Sequence, residues 1–127
     1  MDGVMSRGMS LGGTALAQSE TLTGTLSTLL FEEQVPDSST DLEVVLAIDV
    51  SAVKAIHIQS DQDVTIETND GTTPDDTIAL KANKPYQWST NDYHTFVLGT
   101  DVTSIFVTNA SGATATISII VLTDPTP

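Results

Sequence analysis

Val64-Thr65-Ile66-Glu67-Thr68 alternates apolar and polar side chains one for one, and Thr116-Ile117-Ser118-Ile119 repeats the pattern near the far end of the chain. A period of two sends successive side chains to opposite faces of an extended backbone, so both stretches read as strands of a sheet dry on one face and wet on the other. The same texture extends outward in both directions. Thr21 to Phe31 sets Leu22, Leu26 and Leu30 against Thr21, Thr23, Thr25 and Ser27, and the run Val35-Pro36-Asp37-Ser38-Ser39-Thr40-Asp41 breaks it with turn chemistry. Leu42 to Ile48, apolar on both faces, predicts a central strand. Val53 to Ser60, Asp63 to Thr68, Thr77 to Lys81, Tyr86 to Thr90, Tyr93 to Leu98, Val102 to Asn109 and Ala113 to Leu122 follow, separated by Asp-, Asn-, Gly- and Pro-bearing turns. Eight or nine short strands in this rhythm predict an all-β fold, an antiparallel β-sandwich or jelly-roll-like domain spanning residues 21–127.

Residues 1–20 differ, with three Met, four Gly and no sustained period. They read as a flexible N-terminal arm, since Gly12 and Gly13 argue against a helix over Thr14 to Glu20. Its apolar side chains Met5, Met9, Leu11 and Leu16 are those with which such an arm would order on a partner, methionine adapting well to irregular surfaces. The far end, Asp124-Pro125-Thr126-Pro127, reads as a stiff tail whose prolines stop ladder pairing.

Seventeen acidic residues against four basic ones give a formal net charge of −13, a surface that repels phosphate and so argues against nucleic acid or an anionic membrane as partner. No stretch approaches the roughly 18 to 20 apolar residues of a membrane span. Cysteine is absent, which excludes disulfides and thiolate metal sites and suits assembly in a reducing cytoplasm. Ala15-Leu16-Ala17 has the small residues of a signal cleavage site, but the segment before it is too polar for a hydrophobic signal region.

Few residues point to chemistry. His57 and His94 are the only histidines, and His57 lies on the polar face of its strand between Ile56 and Ile58. No Gly-x-Ser-x-Gly elbow occurs, and no acid, base and nucleophile set is recognisable, so the chain reads as a non-enzyme without cofactor or metal. Asp61, Asp63 and Glu67, and Asn69-Asp70-Gly71 with Asp75-Asp76, carry enough oxygen for Ca²⁺ but lack the spacing of an EF-hand loop; they read as turn formers. Tyr86, Trp88 and Tyr93 gather around one turn, where a sugar-stacking platform competes with simple core packing. Asn109-Ala110-Ser111 matches a glycosylation sequon and reads as a hairpin turn. In Ile105-Phe106-Val107 and Ile119-Ile120-Val121-Leu122 both faces are apolar, so Phe106, Ile120 and Leu122 need cover from the second sheet or from another subunit.

Four phrases carry a resemblance: Asp49-Val50-Ser51-Ala52-Val53-Lys54-Ala55-Ile56, Ser60 to Asn69, Pro74-Asp75-Asp76-Thr77-Ile78-Ala79-Leu80-Lys81-Ala82, and the close from Val107-Thr108-Asn109-Ala110-Ser111-Gly112-Ala113 to Pro127. Over about residues 42–127 the chain resembles a small protein recurrent in the structural-gene clusters of tailed bacteriophages, and is similar to capsid decoration (cement) proteins. The resemblance implies a virion component made in the host cytoplasm that braces the outside of the head. Its partner would be the major capsid protein, and it would act as a homo-oligomer, a trimer favoured over a dimer. On that reading the arm docks on the capsid and Phe106, Ile120 and Leu122 mediate self-association. A tail or collar protein of the same lineage is the nearest alternative, and a carbohydrate-binding module, resting on the aromatic cluster, the second.

Overall fold

The computed structural model describes residues 3–23 and 26–124; the proline tail lies outside them. Ten strands run through the described residues: β1 (Gly3–Leu11), β2 (Thr14–Leu22), β3 (Ser27–Val35), β4 (Ser39–Ile48), β5 (Val53–Ser60), β6 (Val64–Thr68), β7 (Thr77–Leu80), β8 (Tyr86–Ser89), β9 (Val102–Asn109) and β10 (Ala115–Thr123). A single 3-10 turn, Val50–Ala52, begins where Asp49 accepts the Ser51 amide at 3.1 Å. The fold is an all-β sandwich of two four-stranded antiparallel sheets, in the orders β3-β10-β5-β8 and β4-β9-β6-β7, with β1-β2 as a separate hairpin.

Alternation builds the core. In β10, Ala115, Ile117, Ile119 and Val121 are buried while Thr116, Ser118 and Ile120 face outward. In β9, Val102, Ile105 and Val107 are buried from the other side. With Val35, Leu46, Ile48, Ile56, Ile58, Val64, Ile66 and Leu80 they fill the space between the sheets. Removing that apolar surface from water is the dominant stabilising term.

Polar side chains lock the loops. Asn109, fully buried at the end of β9, donates from Nδ2 to the carbonyls of Val35 at 2.9 Å, Pro36 at 3.3 Å and Ala113 at 2.9 Å. Its Oδ1 accepts from the Ser111 amide at 3.1 Å and hydroxyl at 2.7 Å. The sequon was expected to close a hairpin, but β9 and β10 lie in different sheets, so the segment is a bend that crosses between them, and the Asn109 side chain ties it to the end of β3. The aspartates do more than close their own turns. Asp37 accepts from Gly112 N at 2.8 Å, Asp61 from Thr116 N at 2.8 Å, Asp63 from Ala82 N at 2.8 Å, Asp76 from Gly99 N at 2.9 Å and Asp101 from Val50 N at 3.0 Å, each joining segments distant in sequence.

Several sequence expectations are corrected. The stretch read as a flexible arm is a β-hairpin whose strands pair without interruption from Gly3↔Leu22 to Leu11↔Thr14. Gly12 and Gly13, at φ 55° and 88°, form the two-residue turn, since successive positive φ values match the twist of the flanking strands. The strand expected over Thr21 to Phe31 is split: Leu22 ends β2, while Leu30 lies in β3 with its side chain 71 % exposed. β4 is an edge strand rather than a central one, with Val45 exposed and two register shifts against β9. Tyr93 to Leu98 forms no strand; the segment crosses as a loop that packs Phe96 and Leu98 on the core.

Candidate functional site

The hairpin is the feature that the sandwich does not need for its own closure. Leu122, Ala55 and Ser89 form one row across the outer face of the first sheet. β1 crosses that row: a Cβ at Gly3 would collide with Leu122 Cδ1, and Met5 clusters with Leu22, Leu26 and Ala55, Leu122 packing against them. Beyond β8, Arg7 meets Asp92 in a two-pronged ion pair, Nη1 to Oδ1 at 2.9 Å and Nη2 to Oδ2 at 2.7 Å. Asp92 is pre-oriented, because its Oδ2 also accepts the Ser89 amide at 3.1 Å. The hydrogen bond from Arg7 is the main reason that the Asp92 carboxyl titrates below its ordinary value, and the same bond raises the Arg7 guanidinium.

Past Arg7 the hairpin stands clear, and every residue from Gly8 to Ser19 is exposed. Directly paired residues share a face, so Met5, Arg7, Met9 and Leu11 lie on one side with Leu22, Glu20, Gln18, Leu16 and Thr14. At the base that side is buried on the sandwich. At the tip it is bare: Met9 is 76 %, Leu11 80 % and Leu16 76 % exposed, and Met9 pairs with Leu16. Residues 8–19 carry no charge, in a chain with 17 acidic side chains. The four arm residues named from sequence are therefore brought to one face, Met5 as an internal anchor and the other three as an uncovered apolar end.

The three residues assigned to self-association are not brought together. Leu122 is half-buried under the chain's own hairpin. Ile120, 46 % exposed, lies on the outer face of the first sheet between Leu30 and His57. Phe106 lies on the outer face of the second sheet, directly between Glu43 and Glu67. Inner-facing neighbours alternate with these positions on β9 and β10, so Phe106 and Ile120 point away from each other across the sandwich.

A groove of about 280 Å³ runs beside β1, with Val4, Ser6, His57, Gln87 and Ile120 among its lining. His57 is held within it by two side-chain amides, Nε2 lying 2.8 Å from Gln59 Oε1 and Nδ1 2.9 Å from Gln87 Nε2. His94 faces Asp92 at 3.5 Å. The acidic turn spends its oxygens on backbone, with Asp70 Oδ1 accepting from Thr72 N at 2.7 Å and Thr73 N at 3.2 Å, and no group of three metal-ligating side chains gathers among the described residues. Trp88 stacks on Phe96, ring centroids 4.4 Å apart, and donates to the His94 carbonyl at 3.0 Å, while Tyr93 is fully exposed. One face of the tryptophan is thus covered from within, and the three aromatic rings do not form a common platform.

Comparisons with protein families, with curated proteins and with solved structures return no match for this chain. What the fold and the site define is a class: an acidic all-β sandwich that carries a hairpin with an uncharged, apolar tip, latched across one sheet.

Proposed function

We propose that the chain is a non-enzymatic structural protein of a tailed-phage virion, one that decorates the outside of the capsid lattice and docks on the coat subunit with its N-terminal hairpin. The observation that carries this reading is the bare end of one hairpin face, Met9, Leu11 and Leu16, on a hairpin whose base is fixed by Arg7 and Asp92. A two-stranded hairpin alone is marginal in water. Held at its base it presents a preformed strand surface, so little ordering entropy opposes docking. Full burial of side chains such as these contributes roughly 1.5 to 3 kcal/mol each. Modest affinity per copy suffices where an oligomer touches several lattice points at once. An acidic body around a neutral tip also restricts close approach to the tip.

The test is co-sedimentation with expanded, undecorated heads. Met9→Asp combined with Leu16→Asp changes only exposed side chains, so the domain should keep its thermal unfolding while binding is lost. Wild-type chain that fails to sediment with heads, or a double variant that binds as well as wild type, overturns the reading.

A further inference from the structure

The sandwich has four edge strands, β3 and β8 in one sheet and β4 and β7 in the other. Three of them are blunted in ways that discourage pairing with another chain. β7 and β8 are four residues long, and β4 is broken by register shifts between Ser39 and Leu42 and between Val45 and Ile48. β3 is different. It runs nine residues, Ser27–Val35, pairs with β10 in unbroken register from Val35↔Ala115 to Ser27↔Thr123, and contains no Pro, Lys or Arg. Its central outward side chain is Leu30, 71 % exposed and directly beside the partly exposed Ile120.

We infer that β3 is a self-association edge: two copies of this chain pair β3 antiparallel about a two-fold axis at Leu30, fusing their first sheets into one continuous sheet. A second copy is the occupant because the strand is complementary to itself in that register. Residues directly opposite must share a face, so the centre of such a pair moves in steps that keep Leu30 opposite an even-numbered residue. Centred on Leu30, the two leucines meet and Ile120, Leu30, Leu30 and Ile120 form one apolar row across the joint. Glu32 then lies opposite Thr28 of the second copy, and Glu33 opposite Ser27, so no carboxylate faces a carboxylate. Centring on Phe31 sets each Glu32 against a leucine, and centring on Glu32 sets carboxylate on carboxylate. For a chain of net charge −13 this distinction decides whether copies can approach at all. The same argument removes Phe106 as the joint, because it lies between Glu43 and Glu67 and two copies meeting there would crowd four carboxylates. The pairing is isologous, each copy giving the same edge.

Sedimentation equilibrium on the full chain tests this. Wild type should show a species of twice the 13.4 kDa chain mass. Leu30→Glu, a change at an exposed position, should halve that mass with unchanged thermal unfolding of the domain. Mixing Leu30→Glu with Leu30→Lys should restore the dimer mass, since the two-fold places the substituted side chains face to face. The chain has no cysteine, so Leu30→Cys should also cross-link to itself on oxidation whereas Val45→Cys, exposed on the other sheet, should not. A wild type monomeric at all accessible concentrations, a Leu30→Glu chain of unchanged mass, a mixture that stays monomeric, or equal cross-linking at both positions overturns the inference.

Discussion

Arg7 and Asp92, 85 residues apart in sequence, meet through two hydrogen bonds of 2.9 and 2.7 Å and thereby latch the N-terminal hairpin over the first sheet. The Asp92 side chain is 10 % exposed and the Arg7 side chain 39 %, so the pair is only partly shielded from water. Its planar fork geometry, rather than its charge alone, sets the direction in which the hairpin leaves the body.

The latch has a predictable acid limit. Asp92 titrates lower in the folded chain than in the unfolded one, chiefly through Arg7, so its stabilisation is complete above the unfolded value of about pH 4 and fades as pH falls through the lowered folded value. Asp92→Asn should therefore lower the thermal midpoint at pH 7 and make no difference at strongly acidic pH. Calorimetry of both proteins across that range checks it, and a gap that persists undiminished in strong acid would speak against the latch.

Glu67 should behave with the opposite sign. Desolvation, then the hydrogen bond with Asp41 and the charges of Asp41 and Asp70, raise its carboxyl above the ordinary value. Ionising it at neutral pH therefore opposes folding, an effect absent below about pH 4, where the unfolded carboxyl is also protonated. Glu67→Gln should raise the thermal midpoint at pH 7 and lose that advantage in acid; the same calorimetric series reads both variants.

Asn109 should be among the least replaceable polar residues of the domain. Asn109→Ala leaves the buried carbonyl of Val35 without its donor and is expected to cost roughly 1 to 3 kcal/mol, measured by urea unfolding. Asn109→Asp should be no better, because it turns an oxygen toward three carbonyl oxygens. A chain indifferent to either change would mean that the two turns are held by other contacts.

Much of the sandwich was legible in the sequence because alternation is local: Thr65 and Glu67 against Val64 and Ile66 state their faces without help from the rest of the chain. The hairpin was not, because Gly12-Gly13 was read as freedom when the same pair, flanked by extended residues, is also one of the preferred two-residue hairpin turns. Met9, Leu11 and Leu16 could be picked out as apolar residues in a polar stretch, but their common face depends on that turn. Leu122 was expected to take its cover from the second sheet or another subunit, whereas Gly3 and Met5 of the chain's own hairpin lie against it, a contact that no local pattern encodes. Arg7 and Asp92 carried no signal at all, since an ion pair across 85 residues is a consequence of topology. Leu30 was misplaced to the core for a related reason: the break that splits its apparent strand exposes it on an edge.

Electron cryomicroscopy of the intact virion tests the central claim most directly. The account predicts the sandwich on the outer surface of the head, with Met9, Leu11 and Leu16 of the hairpin seated against a coat subunit. A particle whose head lacks this chain, or one in which the chain sits on the head with its hairpin tip turned to solvent, would contradict it.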